Sequence, residues 1–124
     1  MSDLTRKHMR IIIAGSRYFD DYVFLKEQVN DILITEFILP TEFISGGAPG
    51  VDTLGEQYAE KHGWSVKRFP ADWNKYGRAA GPIRNRQMAE YGDILIAFDA
   101  GGNGTKSMIQ EMRKVRKKVF VVKI

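Results

Sequence analysis

Residues 94–105 read Ile-Leu-Ile-Ala-Phe-Asp-Ala-Gly-Gly-Asn-Gly-Thr. Five apolar residues in a row, 94–98, predict a strand covered on both faces, as in a parallel sheet. The glycine-rich turn 99–104 then leads into a predicted helix over about 105–116, with Met108, Met112 and Val115 on its apolar face. The same order recurs upstream. Residues 10–14 (RIIIA) form a buried strand followed by Gly15-Ser16-Arg17. Asp20 or Asp21 can cap a helix over about 22–33, with Leu25, Val29, Ile32 and Leu33 on one face. Pro40 is expected to close that region. Residues 42–45 (EFIS) make a second strand, and the turn Ser45-Gly46-Gly47-Ala48-Pro49-Gly50 opens a helix over about 51–62. Val51, Leu54 and Tyr58 face inward there, and Gly63 ends the helix. Residues 65–69 (SVKRF) give a third strand, 70–82 a long loop, 83–91 a short helix ended by Gly92, and 119–123 (VFVVK) a fifth strand.

This alternation predicts a single α/β domain: about five parallel strands with helices on both faces and right-handed crossovers. A chain of 124 residues is one domain by length and can bury a core without staples. Residues 1–8 are expected to be a flexible tail and 9–124 the folded domain. There is no cysteine, which excludes disulfides and thiolate zinc sites, and two histidines are too few for a histidine metal cluster. No apolar run approaches the roughly 20 residues that span a bilayer, and the first ten residues have no apolar signal region. The expectation is a cytoplasmic protein with no membrane partner and no cofactor. The net charge of +4 suits an anionic ligand without requiring nucleic acid. The basic run 113–118 has two readings, a solvated helix end that complements the helix dipole or a docking patch.

In parallel α/β sheets ligands sit beyond the carboxyl ends of the strands. Three loops should gather there: Gly15, Ser16 and Arg17; Ser45, Gly46, Gly47 and Gly50; and Gly101, Gly102, Gly104 and Thr105. Glycines let the backbone approach a ligand and present N–H groups. The second and third loops each open a helix, whose free N–H groups and dipole favour an anion. Ser16, Ser45 and Thr105 add hydroxyl donors. No Walker A sequence and no GxGxxG is present, which argues against an ordinary P-loop NTPase or dinucleotide fold. Arg84, Asn85 and Arg86 open the helix before the fourth strand, where the arginines could hold phosphates bidentately or be solvated. Asp52 reads equally as a first-turn helix acid or as a ligand contact, and Asp99 as a cap or a general acid/base. Trp73 and Tyr76 could stack on a base, although loop aromatics more often anchor the loop.

Taken in order, Gly15-Ser16-Arg17, residues 45–52 (SGGAPGVD), 69–73 (FPADW), 81–86 (GPIRNR) and 101–105 (GGNGT) resemble the YspA/YpsA-related branch of the SLOG superfamily. The resemblance spans about residues 9–124. It implies a Rossmann-like fold and a nucleotide or nucleotide-derived, ADP-ribose-like ligand at the glycine loops, with Arg84, Asn85 and Arg86 added to the site. It also implies a homo-oligomer. Two related groups suggest further activities. LOG enzymes cleave the N-glycosidic bond of nucleoside monophosphates and carry PGGxGTxxE. Here Ala100 stands in place of the proline, Lys106, Ser107 and Met108 follow Thr105, and the first acid is Glu111. DprA relatives bind single-stranded DNA, and their SGxAxGID and RN segments resemble residues 45–52 and Arg84-Asn85. The reading favoured by these residues is a module that senses or sequesters a nucleotide. A phosphoribohydrolase and a single-strand DNA binder are the alternatives, and no catalytic residue is assigned.

Overall fold

A computed structural model describes residues 5–124. The apolar runs become strands β1 (Lys7–Gly15), β2 (Ile38–Ser45), β3 (Val66–Arg68), β4 (Ile94–Asp99) and β5 (Lys118–Lys123). All four pairings are parallel, and the sheet order is β3-β2-β1-β4-β5. The chain is thus a single α/β domain with a five-stranded parallel sheet. Each strand pair is joined through helical chain: α1 (Tyr22–Thr35), α2 (Val51–Lys61), α3 (Trp73–Tyr76) with α4 (Ala80–Tyr91), and α5 (Asn103–Lys114).

The period of two in β1 and β4 divides the core into two layers. Ile11, Ile13, Ile94, Ile96 and Phe98 face α1 and α2, where Leu25, Val29, Val51 and Tyr58 complete one cluster. Ile12, Ala14, Leu95 and Ala97 face the other way and pack on Met88 of α4 and Met108 and Met112 of α5. Residues 11–14 of β1 and 94–98 of β4 are therefore buried on both sides, which is why these stretches run apolar without alternation. Gly55 of α2 sits where an added Cβ would come within 2.9 Å of Ile13, so α2 lies directly on the sheet.

Several boundaries differ from the sequence reading. β1 begins at Lys7, and Lys7 and His8 pair with Ile38 and Leu39, so the end of the expected tail 1–8 is strand. The tail's first four residues lie outside the described residues. Pro40 does not close a loop but lies within β2, where the β1–β2 register shifts between Met9 and Arg10. β3 pairs only with Phe43–Ser45, so the proline stands where β2 has no partner on that side and its missing N–H breaks no ladder there. The expected loop 70–82 is largely helical. Pro82 falls in the first turn of α4, where backbone N–H groups have no intrahelical partner to lose. On α5 the buried face is Thr105, Met108, Ile109 and Met112, whereas Val115 follows the helix and is 40% exposed.

The basic run is divided in its roles. Arg113 and Lys114 occupy the last turn of α5. Lys117 instead donates from Nζ to the carbonyl oxygens of Ala89, Glu90 and Gly92 at 2.8, 2.9 and 2.7 Å. It places a cation on the negative end of α4. Lys117→Met leaves those carbonyls without their charged donor and is expected to cost about 1–2 kcal/mol. Urea unfolding should show a lower midpoint with an unchanged slope.

Candidate functional site

The carboxyl ends of β1, β2 and β4 open into one cleft of about 1250 Å³. Its walls include Gly15, Ser16 and Arg17 after β1, Gly46 and Gly47 after β2, and Gly101, Gly102 and Gly104 after β4. The loops are bound to one another. Ser16 N–H donates to the Phe98 carbonyl at 3.2 Å, and Val51 N–H donates to the Ser16 carbonyl at 3.0 Å. Two glycines make this approach possible. A Cβ on Gly15 would collide with the Phe98 carbonyl, and one on Gly50 would collide with the Ser16 carbonyl. Gly50 also has φ 77°, a left-handed conformation that favours glycine. It does not line the cleft; its part is to dock one loop on the other.

Ser45 is buried, and its Oγ accepts from Gly47 N–H at 3.0 Å, which shapes the second loop from within. Gly46 is the crossing point. An added Cβ there would lie 2.6 Å from Arg84 Nη1 and 2.9 Å from Asp52 Oδ2. Arg84 reaches in from α4 and donates from Nη1 to the Gly46 carbonyl at 2.5 Å and from Nε to Asn85 Oδ1 at 3.0 Å. Asn85 is buried and donates from Nδ2 to Ser107 Oγ of α5 at 3.1 Å. Arg84 and Asn85 thus tie the second loop, α4 and α5 together at the cleft. Arg86 is not brought there. It is on the exposed side of α4 and faces Glu111 at 3.4 Å, because successive helix residues point in directions about 100° apart.

The third loop ends at an open helix terminus. Gly101 has φ 90°, and its N–H donates to Asp99 Oδ1 at 2.8 Å. Gly102 precedes the first turn of α5, and no side chain caps that turn. Thr105 is buried within it and lines the cleft. Arg17 is exposed on the cleft wall, and its guanidinium has no partner among the described residues.

The acids have separate environments. Asp52 is 5% exposed, accepts from Ala48 N–H at 3.2 Å and lines the cleft. Burial pushes its carboxyl up to about 6, against the lowering effects of the Ala48 N–H and of Arg84. Burial lowers Arg84 in turn, and Asp52 partly offsets this. Asp99 holds the third loop instead. The Gly101 N–H, with help from Lys123, lowers its pKa below the usual range. Glu111 is engaged by Arg86 and Lys114, so neither it nor Asp99 stands on the cleft wall.

Two wall residues, Arg68 and Glu56, escape the sequence reading. Arg68, at the end of β3, donates from Nη2 and Nε to the two carboxylate oxygens of Glu56 at 2.5 and 3.0 Å. Glu56 lies one helical turn after Asp52, and that spacing was the available signal. Trp73, read as either a loop anchor or a stacking face for a base, is 60% exposed on the cleft wall, and α3 buries none of its residues.

A protein-family profile described as "YAcAr: YspA, cpYpsA-related SLOG family" matches residues 9–76. The chain belongs to this family. Gene 61 protein of Mycobacterium phage D29 is 30% identical over 112 residues, spanning 85% of this chain and 89% of that protein. Among solved structures, DNA processing protein A (DprA) from Streptococcus pneumoniae shares the fold with a TM-score of 0.69 at 18% identity. The match covers 90% of this chain and 49% of DprA, so this chain spans about half of that protein. The family match runs from β1 through α3 and so includes the loops that carry Gly15–Arg17 and Ser45–Asp52.

Asp52 makes the site pH-sensitive. Its folded pKa of about 6 lies above the usual 3.8, so the native state holds the proton more tightly than the unfolded chain. That stabilisation is complete below about pH 4 and is lost as pH rises through about 6, a change of about 3 kcal/mol. Asp52→Asn should flatten this part of the stability profile, measured by urea unfolding at pH 4, 5, 6 and 7.

Proposed function

We propose that the cleft binds the phosphate of a nucleotide or nucleotide-derived ligand and that the protein senses or sequesters it. One observation carries the reading. The uncapped first turn of α5, the glycine loops after β1 and β2, and the unpartnered Arg17 guanidinium all line the same cavity. Backbone N–H groups at a helix start favour an anion, and a free guanidinium adds a bidentate charged donor. Trp73 offers an exposed aromatic face on the same wall for the base. The membership of the SLOG family supports the ligand class, and the absence of an acid among the three residues after Thr105 favours binding over cleavage.

Arg17 provides the sharpest test, since its removal breaks no side-chain hydrogen bond or ion pair among the described residues. Thermal-shift and calorimetric titrations with AMP, ADP and ADP-ribose should show binding by the wild type. Arg17→Ala should weaken it about tenfold, the loss of one charge-assisted hydrogen bond of about 1.5 kcal/mol, with unchanged melting temperature in the absence of ligand. A folded wild type stabilised by none of these compounds would overturn the proposal.

A second reading rests on Asp52, a cleft carboxyl whose pKa of about 6 suits proton transfer near neutral pH. Under it the protein hydrolyses the N-glycosidic bond of a bound nucleotide. Chromatography of nucleoside monophosphates incubated with the protein would then show free base, and Asp52→Asn would abolish its release. A third arm addresses DNA: retention of a single-stranded oligonucleotide that falls steeply with salt would move the function toward nucleic acid.

A further inference from the structure

The order of strands fixes the order of features along the ligand-binding edge of the sheet. Trp73 follows β3 at one end. The three glycine loops follow β2, β1 and β4 in the middle. Beyond them, toward β5, lies a second cavity of about 470 Å³. Ser16, Tyr18 and Ala100 line both cavities, so the two adjoin at one shared wall. The annex is aromatic. Phe19 and Phe24 line it, with Phe19 held by stacking on Phe98 and by an edge contact to Phe24. Tyr18 stands between the chambers 92% exposed, a large aromatic side chain that the fold leaves uncovered.

Neighbouring strands lie about 4.8 Å apart, so the edge from β3 to β5 runs about 19 Å. A single nucleotide with its phosphate at the central loops places its one ring on one side only. The aromatic surface on the other side is then unused. Resting on the phosphate reading above, we infer that the site takes a ligand with two planar ring systems joined through phosphates. The central loops hold the phosphates, Trp73 stacks on one ring, and the annex beside Tyr18 receives the other. A dinucleoside pyrophosphate has this chemistry. The missing GxGxxG is no obstacle, because the phosphates are held by three separate loops rather than by a single fingerprint turn.

Calorimetric titration of the whole chain with ADP and with diadenosine pyrophosphate tests the annex. The dinucleoside compound is expected to bind at least about tenfold more tightly than ADP, as one additional stacked base would provide. Tyr18→Ala should remove most of that advantage, and Tyr18→Phe should restore it. Ile124→Trp crowds the annex without touching the main cleft and should also remove the advantage. Equal affinities for the two compounds in the wild type would overturn the annex alone and leave the phosphate site standing. So would an advantage that survives both Tyr18→Ala and Ile124→Trp. Failure of the wild type to bind either compound would overturn the phosphate reading and the annex together.

Discussion

The cleft depends on one close approach of backbone to backbone. The Ser16 carbonyl accepts from Val51 N–H, which seats the start of α2 against the loop after β1. Any side chain at position 50 would occupy the space of that carbonyl, and the left-handed turn there would be strained in any case. A second approach, Ser16 N–H to the Phe98 carbonyl, ties the same loop to β4. Ser16 is thus the hub, and its backbone rather than its hydroxyl does most of the work. The first loop is fixed by backbone bonds to the start of α2 and to the end of β4, and the third by the Gly101 N–H bond to Asp99, an order that would reduce the ordering cost of binding a ligand there.

A second layer of support lies beneath the loops. Arg84 is half-buried, its charge held by the Gly46 carbonyl and by the neighbouring Asp52. Asn85 carries the connection on to Ser107. This arrangement assigns different tasks to three consecutive basic or amide residues. Arg84 and Asn85 stand on the cleft wall and tie it to the second loop and α5, while Arg86 pairs with Glu111 between α4 and α5. Among the described residues, three guanidiniums stand on the cleft wall; Arg84 and Arg68 are engaged with protein acceptors, and Arg17 is not.

The fold was legible because the central strands are buried on both faces. Residues 11–14 and 94–98 have no polar interruption, and the glycine turns after them mark the strand ends without ambiguity. Pro40 misled because a proline stops a strand only where a neighbour needs its N–H, and the extent of β3 cannot be read from β2. The stretch 70–82 misled because helices of one turn leave no periodic signal. At the site, the loop residues were readable from glycine placement. The direction of a side chain was not. Arg86 and Arg84 look alike in sequence, and only the phase of α4 separates them. Lys117 likewise reads as one more solvated cation, although the end of α4 lies directly against it.

The unpaired state of Arg17 has a kinetic consequence. Charges already matched by a carboxylate or a carbonyl project little field into solvent, whereas an exposed guanidinium with no partner projects its own. That field extends over about one Debye length, roughly 8–10 Å at ordinary ionic strength. Under the proposed phosphate reading, Arg17 would do more than hold an anion after contact. It would draw the anion toward the open edge of the sheet, so ionic strength would act on the rate of encounter as well as on the lifetime of the complex.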